Sequence, residues 1–158
     1  MCQWNFWQNI IFVTLSIFKP MKRIIEAYFD EKTLLSSPAK QEALNDLELK
    51  LKVKLPDDYK EFLRISNGYE GTLGATYVRL SNMNEIIEFT ELYCDEDYSW
   101  AIYIGTDGGN EIYVLDKRTS EPSFGILPYV GNNADFIFLG QTFEEFIKHI
   151  YYNDFWNK

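Results

Sequence analysis

A proline at position 56 and an Asn-Gly pair at 67 and 68 bracket the stretch LPDDYKEFLRISNG, leaving room between them for one short helix. Pro56 restricts Leu55 to extended geometry, which breaks any helix arriving from upstream, while Pro56 itself can open a new one because its missing N–H is not needed there. Asp57 and Asp58 then fall in the first turn, where a negative charge near the free amides gains about 0.3–1 kcal/mol. Tyr59, Phe62 and Leu63 lie at i, i+3 and i+4 as one apolar stripe, and Asn67-Gly68 supplies a left-handed exit. Each feature has a structural use, so the stretch fixes a corner of a scaffold and asks for no catalysis.

The segments around it set the fold class. Upstream, SSPAKQEALNDLELKLKV predicts a helix capped by Ser37 with Pro38 at its first position. Leu44, Leu47 and Leu51 form its apolar face, and Glu42, Glu48, Lys50 and Lys52 are solvated decoration. Downstream, TYVRLS is strand-like and NEIIEFTELY is helical, with Ile86, Phe89 and Tyr93 toward the core. SWAIYIGTDGGNEIYVLD predicts two strands joined by a tight turn through Asp107, Gly108, Gly109 and Asn110, and FGILPYV and ADFIFLG predict two more. In TFEEFIKHIYYNDF, Thr142 and Glu145 have capping-box spacing, and Phe143, Phe146, Ile147 and Ile150 line one side. Helices first, hairpins in the middle and a helix last imply a single α+β domain: a largely antiparallel sheet with N-terminal helices and a C-terminal helix packed against it. The chain of 158 residues, 46% apolar, suffices for one core, and neither an internal repeat nor a long linker divides it.

Residues 1–20, MCQWNFWQNIIFVTLSIFKP, differ from the rest in being apolar, aromatic and charged only at Lys19. They lack the basic start and small-residue cleavage site of a signal peptide, and the apolar run is short for a membrane span. Met21 followed by KRIIEAYFD makes a natural beginning, so residues 1–20 are read as an extension from an overextended start, with a packed segment or a weak membrane anchor as alternatives. The domain proper is then 21–158. Cys2 and Cys94 are far apart without CxxC spacing, so neither a disulfide framework nor a zinc knuckle is indicated and a reducing, cytoplasmic setting is expected.

The net charge of −9 argues against direct nucleic-acid binding, because phosphate would be repelled. Its placement is uneven. Between Leu80 and Asp116 lie nine acids and no Lys, Arg or His, while the rest of the chain balances fifteen acids against fifteen bases. This is either a solubilising surface or a docking one. Glu85, Glu88 and Glu91 share an outward arc of the predicted helix, and Asp95, Glu96 and Asp97 are followed by Tyr98 and Trp100. Acids interleaved with aromatics suit a basic protein partner: carboxylates hasten encounter and aromatic anchors hold the complex. Tyr98 and Trp100 can equally be alternate strand residues packed inward, Trp100 the more so.

Reaction chemistry is thinly represented. His149, the one histidine, falls beside Lys148 opposite Phe146 and has no orienting partner in the sequence pattern. GTDGGNE, residues 105–111, is followed by a strand rather than the helix a phosphate loop needs, and its glycines directly after Asp107 break the calcium-loop pattern. Carboxylate pairs such as Asp107 with Glu111, or Glu96 with Asp97, can be nominated for a hydrolase, but no GxSxG, HExxH or Walker pattern occurs.

Taken together, LPDDYKEFLRISNG after an amphipathic helix, IGTDGGNEIYVLD, and a closing TFEEFIKHI resemble the SUKH superfamily, which includes yeast cell-wall-synthesis regulators and many bacterial immunity proteins. The resemblance spans residues 36–151 and is most specific at Leu55-Pro56 followed at fixed distance by Asn67-Gly68. It implies an α+β domain without an active site or cofactor, which in bacteria protects the cell by binding a cognate toxin, often a nuclease. The matching residues, Leu55, Pro56, Tyr59, Phe62, Leu63, Asn67, Gly68, Gly108 and Gly109, are then architectural. The expected contact surface for a basic toxin domain comprises Glu85, Glu88, Glu91, Asp95, Glu96, Asp97, Tyr98, Asp107 and Glu111. The alternative is an intracellular adaptor without a toxin. Two departures stand out: the first 20 residues have no counterpart, and Tyr69-Glu70 replaces a further glycine often found after Asn-Gly.

Overall fold

The structure, a computed structural model, describes residues 20–30, 36–94 and 96–154. The N-terminal extension, residues 1–19 of it, and Asp95 lie outside the described residues. Residues 20–28 are helical (α1). There follow α2 (Gln41–Leu51), α3 (Asp57–Ile65), β1 (Tyr69–Leu73), β2 (Thr76–Leu80), α4 (Met83–Tyr93), β3 (Ala101–Thr106), β4 (Glu111–Asp116), β5 (Ser123–Pro128), a 3-10 turn (Asn133–Asp135), β6 (Ile137–Gly140) and α5 (Phe143–Tyr152). The six strands form one antiparallel meander in the order β1 to β6. The α+β class, with helices first and last, is as the sequence implies.

Both faces of the central strands are covered, which explains their unbroken apolar runs. Successive side chains of a strand point to opposite faces. Ile102, Ile104, Tyr113, Leu115, Phe124 and Ile126 therefore meet the main core with α1, α2, α3 and α5, while Ala101, Tyr103, Ile112, Val114 and Leu127 form a smaller cluster on the opposite face. The main core is rich in rings: Tyr59 meets Phe143 at 5.3 Å, Phe62 meets Phe143 at 4.8 Å and Phe124 stacks on Phe146 at 5.1 Å between centroids. Met21, Ile24, Ile25 and Phe29 reach the same core from the α1 region.

The opening motif is tied into the fold more widely than a single helix requires. Tyr59, Phe62 and Leu63 are buried as the stripe predicts, and Leu55 is buried with its amide donating to Glu48 Oε1 at 2.8 Å. Glu48, expected to be solvated, is thus a structural acceptor and also meets Lys60 Nζ at 3.3 Å. Asp58 does more than favour its own helix. Its Oδ2 accepts from the amides of Phe143 at 2.7 Å and Glu144 at 3.3 Å, the first turn of α5. Thr142 accepts from the Glu145 amide and Glu145 accepts from the amides of Gln141 and Thr142, so every early donor of that helix is engaged. Asn67 acts in the same way on α4, its Oδ1 accepting from Met83 N at 3.0 Å, next to the capping box of Asn82 and Glu85.

Three local expectations need correcting. The α2 helix starts at Gln41 behind Lys40, with no side-chain cap, instead of at Ser37-Pro38. The cause is tertiary: Ala39 is held against α3, its amide donating to Leu63 O at 2.9 Å. Pro56 is the residue before α3 rather than its first, and α3 ends on an extended Ser66. Gly68 supplies the left-handed turn beyond it, at φ +105°, where an added Cβ would meet Leu80 O at 2.9 Å. Strand β1, with Glu70 and Gly71 inside it, carries no strand pattern in sequence; its full register with β2 makes it.

Candidate functional site

The expected acidic surface starts on α4, which runs along the first half of β3, where β2 does not pair. Thr90 Oγ1 accepts from the Tyr103 amide at 3.0 Å, closing that strand edge with a helix side chain. Glu88 and Glu91 are exposed on this helix. Glu85 is not a free acid: one oxygen closes the Asn82 capping box and the other pairs with Arg79. Its position in the first turn made that use available, and Arg79 arrives from the neighbouring strand. Phe89 is half-buried, but Tyr93, expected on the core side, is 38% exposed.

Beyond α4, Glu96 and Asp97 are exposed. Tyr98, placed by sequence on the contact surface, is only 7% exposed and belongs to the smaller core cluster. The chain turns there to enter β3, and the ring fills the space between loop and sheet. Trp100 is half-buried beside it, its Nε1 donating to Asn133 Oδ1 at 2.8 Å and its ring stacked under the Arg118 guanidinium at 3.9 Å. Arg118 is held by Asp116 through 2.6–3.1 Å bonds, so the last acid of the charged window is also neutralised. Burial works to raise the Asp116 carboxyl, but the Arg118 hydrogen bonds outweigh it and hold it below its ordinary value.

The remaining acids gather at the β3–β4 hairpin. Asp107 Oδ1 accepts from Gly109 N at 2.8 Å and Glu111 N at 3.2 Å, and Gly108 adopts φ +75° against the Tyr77 ring. This is the tight turn the sequence predicts. Glu111 is half-buried, and among the described residues its carboxylate has no ion-pair partner. Burial raises its pKa, and the charges of Asp107 and Asp135 push the same way. Asp135, from the loop between β5 and β6, is a member the sequence reading missed.

Two aromatic rings connect this hairpin to α4. The amide of Tyr129 donates to Asn110 O at 2.9 Å, and its ring meets Tyr93 edge-on at 5.2 Å. Tyr129 is 37% exposed and Val130, next along the chain, is 94% exposed. Neither was singled out as a contact residue, because FGILPYV reads as one strand; β5 stops at Pro128 and the last two residues leave the sheet.

Asp57 and Asp58 have structural work instead. A groove of about 450 Å³ is lined by Asp57, Asp58 and Glu121 among others, yet Asp58 is engaged with α5 and Asp57 meets Lys60 Nζ at 3.2 Å. His149 gains a partner that sequence could not place, with Nδ1 2.6 Å from Asp154 Oδ1. The pair sits at the C-terminal end of α5. Among the described residues no group of three or more His, Cys, Asp or Glu is arranged to hold a metal, and no helix is long and apolar enough to cross a membrane.

The architecture and the motif can now be set beside known proteins. The SMI1 / KNR4 family (SUKH-1) matches residues 38–149. The chain belongs to this family. The SUKH-1 match runs from the segment before α2 almost to the end of α5 and contains every acid and ring of the candidate surface, whereas α1 precedes it. An uncharacterised Bacillus subtilis (strain 168) protein, YnaB, is 34% identical over 101 residues, 62% of this chain and 64% of that protein. The match therefore covers less than two thirds of the relative's length.

Proposed function

We propose that this SUKH-1 protein is a cytoplasmic immunity protein that binds and neutralises a cognate bacterial toxin, a nuclease domain with a basic substrate surface, by occluding it. No cofactor takes part. The observation that carries this reading is the convergence of Asp107, Glu111 and Asp135 beside the half-exposed Tyr93 and Tyr129, with no ion pair to Lys or Arg at any of the three among the described residues. A nuclease that holds phosphate on lysines and arginines offers the complementary field, and an acidic partner competes where nucleic acid would lie. Exposed Glu88, Glu91, Glu96 and Asp97 extend the negative surface toward α4 and the loop after it. Asp95, between them in sequence, is proposed as part of the same surface; Glu85 and Tyr98 serve the scaffold.

The test is protection and binding together. Nuclease toxin domains from the source organism, beginning with any encoded beside this gene, are expressed with and without the protein, and each purified pair is examined by calorimetry. Growth rescue with a one-to-one complex is the expected result. A folded protein that neither binds nor protects contradicts the immunity reading and leaves a toxin-independent adaptor as the function to pursue.

A further inference from the structure

The side of the sheet that carries α4 and the smaller core cluster uses its cations and its acids unequally. Arg79 is consumed by Glu85, and Arg118 by Asp116 and the Trp100 ring. Among the described residues, the acids around Tyr129 have no such cation. Their location is fixed by the loop that carries Val130: Asp135 Oδ2 accepts from Asn132 N at 2.7 Å, Asn132 Oδ1 accepts from Ala134 N at 2.8 Å, and Gly131 lies so close that an added Cβ would stand 2.7 Å from Asp135 Oδ2. A fully exposed valine is therefore held on an ordered, capped turn with an acid on one side and a half-exposed tyrosine on the other. Such a side chain loses little freedom on docking. Small apolar patches rimmed by charge are where interfaces place their anchors.

Resting on the binding function proposed above, we infer that Val130 and Tyr129 form the anchor of the interface and dock into an apolar recess on a protein partner whose rim supplies arginine or lysine to Glu111, Asp107 and Asp135. Charge complementarity selects this occupant. Exposed rings can also stack on nucleic-acid bases, but phosphates approaching these three carboxylates would be repelled. The internal stack of Arg118 on Trp100, with Asp116 behind it, illustrates on the same face the combination the partner would make: guanidinium on a ring and against a carboxylate.

The anchor can be tested without a toxin. The full-length protein, labelled with ¹⁵N, is titrated with an amidated peptide of alternating arginine and leucine, with an arginine–serine peptide as the charge-only control, and Val130→Ser is compared with the parent. The arginine–leucine peptide should shift amides of residues 107–111 and 129–135 at about three- to ten-fold lower concentration than the serine peptide, and Val130→Ser should abolish that preference. Because Val130 is almost wholly exposed, the variant keeps the parent's spectrum elsewhere. Equal potency of the two peptides, shifts centred on another surface, or an unchanged preference in Val130→Ser would overturn the anchor. Concentration-dependent self-association through Val130 in the absence of peptide would overturn it too, by naming a second copy as the occupant. Failure of the immunity function would show differently, as absent protection by a protein whose peptide map is as expected.

Discussion

The corner built by residues 55–68 and the rim around Tyr129 both use acids to hold backbone amides, but they differ in what they leave over. At the corner, Asp58 and Asn67 spend their side chains on the amides of α5 and α4, and Glu48 spends its own on Leu55. At the rim, Glu111 is half-buried with no ion-pair partner among the described residues and Val130 stands in solvent. An unmade interaction costs a folded protein, whereas a made one holds it together. The contrast therefore separates residues that hold the fold from residues whose removal should cost it little.

Breaking the first region should cost most. Phe143 touches Tyr59, Phe62, Phe124 and Phe146, and Phe143→Ala should destabilise by about 3–5 kcal/mol in urea unfolding. A loss under about 1 kcal/mol would mean that the corner is not packed as described. Asp58→Ala removes the acceptor for two α5 amides and should cost about 1–2 kcal/mol, while Asp58→Asn, which keeps an acceptor, should cost distinctly less. Desolvation by burial raises the Asp58 carboxyl above its ordinary value. The native state then binds its proton up to higher pH than the unfolded chain. The contribution of Asp58 to stability accordingly falls as pH rises from the unfolded value of about 3.9 through the raised folded value. Across that window the stability of Asp58→Asn relative to the parent, measured by unfolding, should therefore rise with pH; parallel profiles would contradict the assignment.

How far these two regions could be foreseen differs for a physical reason. The corner is written in local rules, a proline, two aspartates and an apolar stripe, and its helix appears within a residue of its place. What local rules omit is the far end of each bond. Nothing near Asp58 in sequence announces the α5 amides 85 and 86 residues away. In the same way Ser37 and Pro38 satisfy a capping rule that the pull of Leu63 on Ala39 overrides. Strand β1 escaped notice because pairing, not side-chain alternation, creates it. The rim was half legible: acid counting found Asp107 and Glu111 but also collected Glu85, whose partner Arg79 lies outside the acid-rich window, and Tyr98, whose ring turns inward. Tyr129 and Val130 from FGILPYV, and Asp135 from ADFIFLG, come from two segments read as strands and carry no signal until the loop between them is seen in space.

Substitutions at the rim should leave stability almost untouched and so sharpen the contrast. Val130→Ser, at an exposed position, and Glu111→Gln, whose carboxylate has no ion pair among the described residues, are each expected within about 0.5 kcal/mol of the parent. Loss of more than about 1 kcal/mol from either would make the rim part of the scaffold. For Glu111→Gln a small gain is the expected direction, because the half-buried carboxylate and its repulsion by Asp107 and Asp135 are removed together.

The central claim is that Asp107, Glu111 and Asp135, which have no ion pair among the described residues, guide a basic protein to this face. Stopped-flow association with the toxin domain this protein protects against, across ionic strength, tests that claim most directly, comparing the parent with a Glu91→Lys, Glu111→Lys double variant. The parent should associate fast at low salt and slow steeply as salt is added, while the double variant starts slow and responds little. Identical rates and salt slopes for the two proteins would contradict the account.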